Sequence, residues 1–148
     1  MSATLTIRDI IPDDRPGWED LWIGYLDFYG VALDPVVTEV TWSRLIDPHE
    51  RMFATVAERN GELVGLVHCI LHRGTWTIGE LCYLEDLYVT EEARGHGVGR
   101  ALIEAVYARA DAAGCARVYW LTHESNLTAR RLYDKVASHR GFIQYRRD

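Results

Sequence analysis

A glycine-rich turn between a strand-like run and an amphipathic helix constrains the fold of this chain more than any other stretch. The run is LEDLYV, residues 84–89, and the helix begins within a turn that contains Gly95, Gly97 and Gly99. The first amides of a helix lack internal hydrogen-bond partners and carry the positive end of the helix dipole. Glycines allow a phosphate to approach those amides closely. The turn therefore predicts a site for a phosphorylated cofactor.

Two common phosphate-binding motifs do not match this turn. A Walker loop needs Gly-Lys-Ser/Thr at the helix start, where this chain has GRA at residues 99–101. A dinucleotide fingerprint, G-x-G-x-x-G/A, fails in both registers because its last position falls on Arg100 or Leu102. The pattern that fits is R-x-x-G-x-G, which begins at Arg94. Arg94 and Arg100 add positive charge to the turn.

Hydrophobic periodicity and turn signals predict the element order βααβββαβαβ in one domain, residues 1–148. Predicted strands cover residues 5–8, 53–58, 62–72, 77–89 and 116–122, with a last strand, FIQYRR, after Gly141. Predicted helices cover residues 12–29, 38–46, 97–113 and 126–137. The three adjacent strands predict an antiparallel meander, and the later βαβ unit predicts a parallel crossover. The expected fold class is α/β, in the α+β sense of a mixed sheet with helices on both faces.

Composition and charge narrow the classes of function. The 148-residue chain has a formal net charge of −6, which argues against a nucleic-acid-binding protein that relies on phosphate neutralisation. The same negative charge is compatible with a cationic substrate, such as an amine that accepts a transferred group. The three cysteines are scattered without CxxC spacing, so neither a disulfide framework nor a metal site is expected. Without a membrane-spanning run or a signal-peptide pattern, we expect a cytoplasmic protein with no membrane partner.

The turn and the segment that follows it resemble the GCN5-related N-acetyltransferase (GNAT) superfamily, whose members bind acetyl-coenzyme A. In that family an asparagine near the start of the next helix is followed seven residues later by a tyrosine, here Asn126 and Tyr133. Gly141-Phe142 matches the entry to the family's next strand. The resemblance covers roughly residues 53–142. Within it, the sequence of residues 118–129 is similar to the small histone and polyamine acetyltransferase branch of the family.

The resemblance implies which residues bind acetyl-CoA. The strand before the turn would pair with the pantetheine arm, the amides of the turn would bind the pyrophosphate, and the next helix would contact the arm. No metal ligand is implied. The residues in these positions are Leu87, Tyr88, Val89, Arg94, Gly95, His96, Gly97, Val98, Gly99, Arg100, Asn126 and Ala129.

Tyr133 is the candidate general acid. Transfer of an acetyl group from a thioester to an amine leaves a thiolate that needs a proton, and a tyrosine with a pKa near 10 carries one at neutral pH. The seven residues from Asn126 to Tyr133 make two helical turns, which places both side chains on one helix face. The resemblance implies that Tyr133 protonates the coenzyme A sulfur. Its place in an apolar stripe leaves a core role open.

Glu85 and Asp86 are the candidate general bases. Adjacent side chains on a strand point to opposite faces, so we expect only one of the two carboxylates to face the acceptor. Both could instead be structural, and His123 and Glu124 are alternatives on a later loop. The two predicted faces are Tyr83, Glu85 and Leu87 on one side and Leu84, Asp86 and Tyr88 on the other.

These expectations combine into an acetyl-CoA-dependent N-acetyltransferase that acts directly on a primary amine. The acceptor could be a small metabolite, a polyamine, an amino acid or a protein lysine. The alternative is a regulatory module that binds acyl-CoA without turnover. The chain stops six residues after Phe142, too soon for the hairpin that usually ends this family. The last strand would then complete the sheet alone or pair with a second subunit, and we expect a homodimer.

Overall fold

The structure, a computed structural model, describes residues 4–148. These residues form five strands and four α-helices in the order βααβββαβα, with single 3₁₀ turns at Pro12–Asp14 and Glu91–Ala93. The strands are β1 (Leu5–Asp9), β2 (Met52–Arg59), β3 (Glu62–His72), β4 (Leu81–Val89) and β5 (Arg117–Tyr119). The helices are α1 (Arg15–Tyr29), α2 (Pro35–Leu45), α3 (Val98–Ala112) and α4 (Leu127–Val136).

The strands form one mixed sheet in the order β1-β2-β3-β4-β5. The first four strands are antiparallel, and β5 runs parallel to β4. The β4–β5 pairing extends only from Leu81 opposite Arg117 to Tyr83 opposite Tyr119. Beyond Tyr83, β4 continues to Val89 without a strand on that side among residues 4–148. We term the region between the end of β5 and this unpaired edge of the second half of β4 the fork.

Helices cover both faces of the sheet and create two buried clusters. The cluster that we term the α3-side core contains Phe53, Val67, Leu84, Leu102, Ile103 and Val106. The cluster that we term the α1-side core contains Trp18, Leu21, Trp42, Val56 and Leu66. Helix α3 lies unusually close to β3, because a Cβ added at Gly65 would be 3.0 Å from Leu102 Cδ1. These contacts hold the start of α3, and with it the glycine turn, against the sheet.

The predicted fold class is confirmed, and several local signals act where they were expected. Asn60 (φ 55°) and Gly61 (φ 76°) are both left-handed and form the tight turn between β2 and β3. Gly30 (φ 65°) ends α1, and Gly114 (φ 74°) follows α3. In each case a residue type that tolerates a left-handed backbone occupies the left-handed position, so the turn or helix end can be predicted from the sequence.

Other predicted boundaries were wrong. β4 begins at Leu81 rather than at residue 77, and β5 has three residues rather than seven. Helix α2 begins earlier than predicted, because Asp34 accepts a hydrogen bond from the Val36 amide (2.9 Å) and Pro35 occupies the first helical position.

The predicted last strand is absent. Residues 137–148 contain neither helix nor strand, and the apolar side chains of Phe142, Ile143 and Tyr145 are exposed. A strand needs a sheet edge to pair with, and an alternating pattern by itself does not supply one. No helix within residues 4–148 is long and apolar enough to cross a membrane.

Candidate active site

The glycine turn lies between the end of β4 and the start of α3. Gly95 (φ 80°) and Gly97 (φ 81°) are left-handed, a conformation that residues with a Cβ disfavour. Gly97 is the N-cap of α3, and no side chain in the described part of the chain caps it. The amide of Ala101 donates to Gly97 O (3.0 Å), so the amides of residues 98–100 precede the first intrahelical bond. A Cβ at either left-handed glycine would meet no atom within 4 Å. This open set of amides fits a phosphate group.

The two arginines of the turn are already engaged with the protein. Arg94 Nε donates to Val89 O (3.0 Å), and its guanidinium lies 5.5 Å from the Phe28 ring centroid and 5.7 Å from that of Tyr88. Arg100 Nε pairs with Glu104 (3.0 Å) on the exposed face of α3. Arg94 therefore links the turn to β4 and to α1. The backbone amides of the turn, rather than the two arginines, are the groups available to bind an anion.

A β-bulge in β4 changes the predicted arrangement of the two carboxylates. His68 of β3 pairs with Asp86 and Cys69 pairs with Leu84, so Glu85 has no partner in the ladder. An extra residue of this kind disrupts the alternation of side chains along the strand. The expected opposition of Glu85 and Asp86 is therefore wrong, because it assumed an unbroken strand.

Packing shows where the side chains around the bulge lie. Leu84 and Leu87 both pack into the α3-side core, whereas Tyr88 packs against the α1-side core. Asp86 bonds to His68 beneath Trp18 of α1, so it shares the α1 face with Tyr88 but not with Leu84.

Glu85 lies on the same face as Asp86. Asp86 bonds to His68 on the α1 face. Because the preceding residue, Leu84, packs into the α3-side core, Glu85 also points to the α1 face. It therefore shares a face with Tyr83 but not with Leu87, and both carboxylates face the α1 side of the fork.

The carboxylates differ in their surroundings. The Asp86 residue is 8% exposed, and its Oδ2 lies 2.9 Å from His68 Nδ1. Glu85 is exposed to solvent. Partial burial, followed by the negative charge of Asp86, nevertheless raises the pKa of Glu85 above its ordinary value. Asp86 is thus anchored, and Glu85 is the carboxylate that can exchange protons with solvent or with a substrate.

An aromatic row on α1 leads from the core to the fork. Trp18 is fully buried and Trp22 is nearly so, whereas Tyr29 is 42% exposed. Trp22 stacks on Tyr25 at 5.2 Å, and Tyr25 contacts Tyr29 at 4.9 Å. Burial raises the pKa of Tyr25, and the neighbouring Asp86 carboxylate raises it further. Tyr25 and Tyr29 therefore form the wall that faces the carboxylates, while the two tryptophans belong to the core.

Helix α4 carries the predicted asparagine and tyrosine. Asn126 is the N-cap, and its Oδ1 accepts a hydrogen bond from the Ala129 amide (3.5 Å), a role that asparagine favours at the start of a helix. Tyr133 is partly buried against the α3-side core and lies edge-on to Trp120 at 5.4 Å. Burial, followed by the nearby Tyr29, raises the pKa of Tyr133. The phenol therefore keeps its proton at neutral pH and lies near the exposed end of the aromatic row.

Neither His68 nor His72 is among the site residues predicted from the sequence. In the structure, His68 bonds to Asp86 and Trp18, and His72 Nε2 lies 2.7 Å from the Tyr119 hydroxyl. The available signal was a polar residue in the middle of the apolar run LVGLVHCIL, residues 63–71. The alternative bases, His123 and Glu124, lie exposed on the loop before α4. Among residues 4–148, no group of three or more histidine, cysteine or carboxylate side chains is arranged to hold a metal ion.

This chain is similar in sequence and in fold to several known proteins. The chain is 39% identical over 146 residues to a D-amino-acid N-acetyltransferase of Saccharomyces cerevisiae, covering 97% of this chain and 91% of that protein. It is 37% identical over 119 residues to an aminoglycoside N(6′)-acetyltransferase type 1 of Stenotrophomonas maltophilia, covering 78% and 73%. The fold is similar to the crystal structure of a ribosomal-protein-alanine N-acetyltransferase from Brucella melitensis, with TM-score 0.83, 19% identity and coverage of 98% and 99%.

The family comparison decides the class of protein. The sequence model of the acetyltransferase (GNAT) family matches residues 13–137, which include α1, the bulge, the glycine turn and α4. The two relatives with substantial identity are both named N-acetyltransferases, so this chain is an acyltransferase enzyme rather than a binding module. The protein belongs to the acetyltransferase (GNAT) family.

Proposed function

We propose that this enzyme transfers an acetyl group from acetyl-CoA directly to the primary amine of a small molecule. The observation that carries the proposal is the bulge at Glu85, which brings two carboxylates to one face of the sheet beside the fork. A primary amine is cationic at neutral pH, and paired carboxylates next to aromatic rings favour a cation. The aromatic wall of Tyr25 and Tyr29 completes that environment.

The backbone around the fork is suited to holding acetyl-CoA. The amides of residues 98–100 would bind the pyrophosphate, and the open edge of β4 at residues 87–89 would bond to the pantetheine arm as an added strand would. Asn126 uses its Oδ1 in the helix cap, which leaves its side-chain NH₂ group to donate to the arm. Acetyl-CoA supplies the activated thioester that makes acetyl transfer favourable.

Glu85 and Tyr133 are assigned opposite proton transfers. Glu85 removes a proton from the substrate ammonium, which gives a neutral amine with a free electron pair. The amine nitrogen forms a bond to the acetyl carbon and releases its second proton to solvent as the carbon–sulfur bond breaks, and Glu85 later returns the first proton to solvent. Tyr133 donates its phenolic proton to the departing sulfur, and its deprotonated oxygen then recovers a proton from solvent. Each proton transfer of this kind contributes about 10²- to 10⁴-fold in rate.

The relatives direct the choice of acceptor. One is named a D-amino-acid N-acetyltransferase and another an aminoglycoside acetyltransferase, so both names describe acceptors with small, polar amines. We propose amino acids, with the D enantiomers first, as the acceptor class. Polyamines are a second acceptor class to be tested, because residues 118–129 resemble polyamine acetyltransferases.

Thiol release from acetyl-CoA tests the proposal. The panel contains D and L enantiomers of the same amino acids, a polyamine, an aminoglycoside and a lysine peptide. Each amino acid is matched by its hydroxy-acid analogue, which has no amine and should give no release. We expect release with at least one small amine and a D preference among amino acids. Binding of acetyl-CoA without release for any amine would contradict the proposed function.

We also propose that the enzyme is a homodimer. The tail after α4 contains neither helix nor strand and exposes Phe142, Ile143 and Tyr145, and the last strand of the sheet, β5, has only three residues. Edge strands and exposed apolar side chains are commonly covered in symmetric dimers. Light scattering at micromolar concentration should give the mass of a dimer. The double variant F142D/Y145D should shift that mass toward a monomer, and a monomeric parent protein would refute the proposal.

A further inference from the structure

His68 is a polar residue in the centre of the fold with both ring nitrogens bonded. It is 3% exposed and lies opposite the bulge of β4. Trp18 Nε1 donates to His68 Nε2 at 2.9 Å, and His68 Nδ1 lies 2.9 Å from Asp86 Oδ2. Buried polar groups are costly unless they are bonded in this way. The chain Trp18–His68–Asp86 therefore connects the α1-side core to the acceptor face.

The direction of these hydrogen bonds follows from the chemistry of the indole. An indole N–H can only donate, so His68 Nε2 must accept and the single ring proton lies on Nδ1. That proton is directed at Asp86, where a carboxylate oxygen accepts it in a charge-assisted bond. The indole of Trp18 thus selects the tautomer of His68, and the tautomer supplies a donor to the carboxylate.

Packing holds the imidazole in this orientation. The ring centroid of His68 lies 5.2 Å from that of Trp22 and 6.0 Å from that of Trp18. Trp18 is in turn packed against Trp42 at 4.9 Å. A ring flip would place ring carbons where the two nitrogens lie and break both hydrogen bonds inside a closely packed aromatic cluster.

We propose that His68 is a positioning residue for the acceptor side of the reaction. Through its Nδ1–H it fixes the Asp86 carboxylate beside Tyr25 and Glu85, where that carboxylate binds the ammonium group of the acceptor, and Trp18 fixes the tautomer that makes this possible. The inference rests on the proposed function, because it assumes that the acceptor binds on this face.

Two substitutions at His68 separate positioning from folding. In His68→Asn, the side-chain NH₂ occupies the place of Nδ1 and keeps the donor to Asp86, but Trp18 loses its acceptor. In His68→Gln, the side-chain oxygen occupies the place of Nε2 and keeps the acceptor for Trp18, but Asp86 loses its donor. We expect His68→Gln to raise the acceptor KM about tenfold, since a hydrogen bond to a charged group is lost. His68→Asn should lower Tm while leaving the acceptor KM within about twofold of wild type, since the bond to the charged group is retained. The KM for acetyl-CoA should be unchanged in both.

Two tryptophans on α1 provide a matched pair. Trp18→Phe removes the donor to His68, whereas Trp22→Phe removes an indole N–H that has no acceptor among the described residues. The ¹⁵N shifts of the His68 ring report its tautomer directly. We expect the Nδ1–H form in the wild type and in Trp22→Phe, and a mixture of tautomers in Trp18→Phe.

The outcomes that overturn the inference differ from those that overturn the proposed function. An acceptor KM that rises equally in both folded His68 variants, or in neither, would refute the positioning role. A wild-type ring with its proton on Nε2 would refute it as well. If no amine is acetylated at all, the proposed function fails, and the tautomer measurement still decides whether Trp18 controls His68.

Discussion

The proposed cofactor side and the proposed acceptor side of the fork are built by different means. On the cofactor side, the groups suited to the ligand are backbone amides that follow two left-handed glycines. The nearby side chains of Arg94 and Arg100 bond to Val89 and Glu104 instead. On the acceptor side, the groups suited to the ligand are side chains, Glu85 and Asp86, brought together by a bulge. The cofactor side should therefore be sensitive to backbone changes, and the acceptor side to changes of single functional groups.

The largest effect should come from the acceptor side. Glu85→Gln keeps the shape of the side chain but cannot accept a proton, so kcat with the best amine should fall at least about 100-fold. The KM for acetyl-CoA should not change, because the bulge and the glycine turn remain. Steady-state kinetics with both substrates varied checks this. Glu62→Gln, an exposed residue on the hairpin, is the control, and an unchanged kcat in Glu85→Gln would remove Glu85 as the base.

Tyr133→Phe tests the proton donor where the two sides meet. Loss of the phenolic proton should lower kcat by about 100-fold, with little change in Tm since the ring still packs against Trp120. Stopped-flow measurement of thiol release gives the chemical step. Tyr145→Phe on the exposed tail is the matched control. If Tyr133→Phe lowers Tm as much as truncation of a core side chain does but leaves kcat unchanged, Tyr133 has only a structural role in the core.

A backbone change should affect the cofactor side alone. Gly97→Ala forces a Cβ into a left-handed conformation at a cost of about 1–2 kcal/mol, and it should also raise the KM for acetyl-CoA because the amides of α3 are displaced.

Gly114→Ala is the matched control for that change. It imposes the same strain just beyond the other end of α3, where a Cβ also meets nothing within 4 Å. Both variants should lose similar stability in urea unfolding, but only Gly97→Ala should weaken acetyl-CoA binding by calorimetry. Equal binding losses would contradict the proposed cofactor site.

The smallest expected effect is a shift in the pH dependence of kcat/KM for the acceptor. Glu85 acts as a base only when ionised, and its pKa is raised by partial burial and by Asp86. The rising limb of kcat/KM for the acceptor should therefore lie at a higher pH than an ordinary glutamate would give. Asp86→Asn removes the second cause and should move the limb to lower pH. The pKa of Tyr133 is raised, so a falling limb near pH 7 would argue against its role as the acid.

The local turns and helix ends were predictable from the sequence. The turn at Asn60-Gly61, the cap at Asn126 and the end of α3 at Gly114 each depend on the conformational preference of one or two residues. Such preferences are local, so they can be identified without knowing what the segment packs against. The same reasoning found Glu85, Asp86 and Tyr133 as residue types suited to acetyl transfer.

What the sequence alone determined was the set of candidate site residues, and what only the tertiary structure decided was their arrangement. The bulge at Glu85 depends on how β4 aligns with His68 and Cys69 of β3, and no residue near Glu85 encodes that alignment by itself. The role of His68 depends on Trp18, which lies 50 residues away in the chain. The predicted last strand failed for the same reason, because pairing requires a sheet edge elsewhere in the molecule. Register and edges are properties of distant partners, whereas turns and caps are properties of the residues that form them.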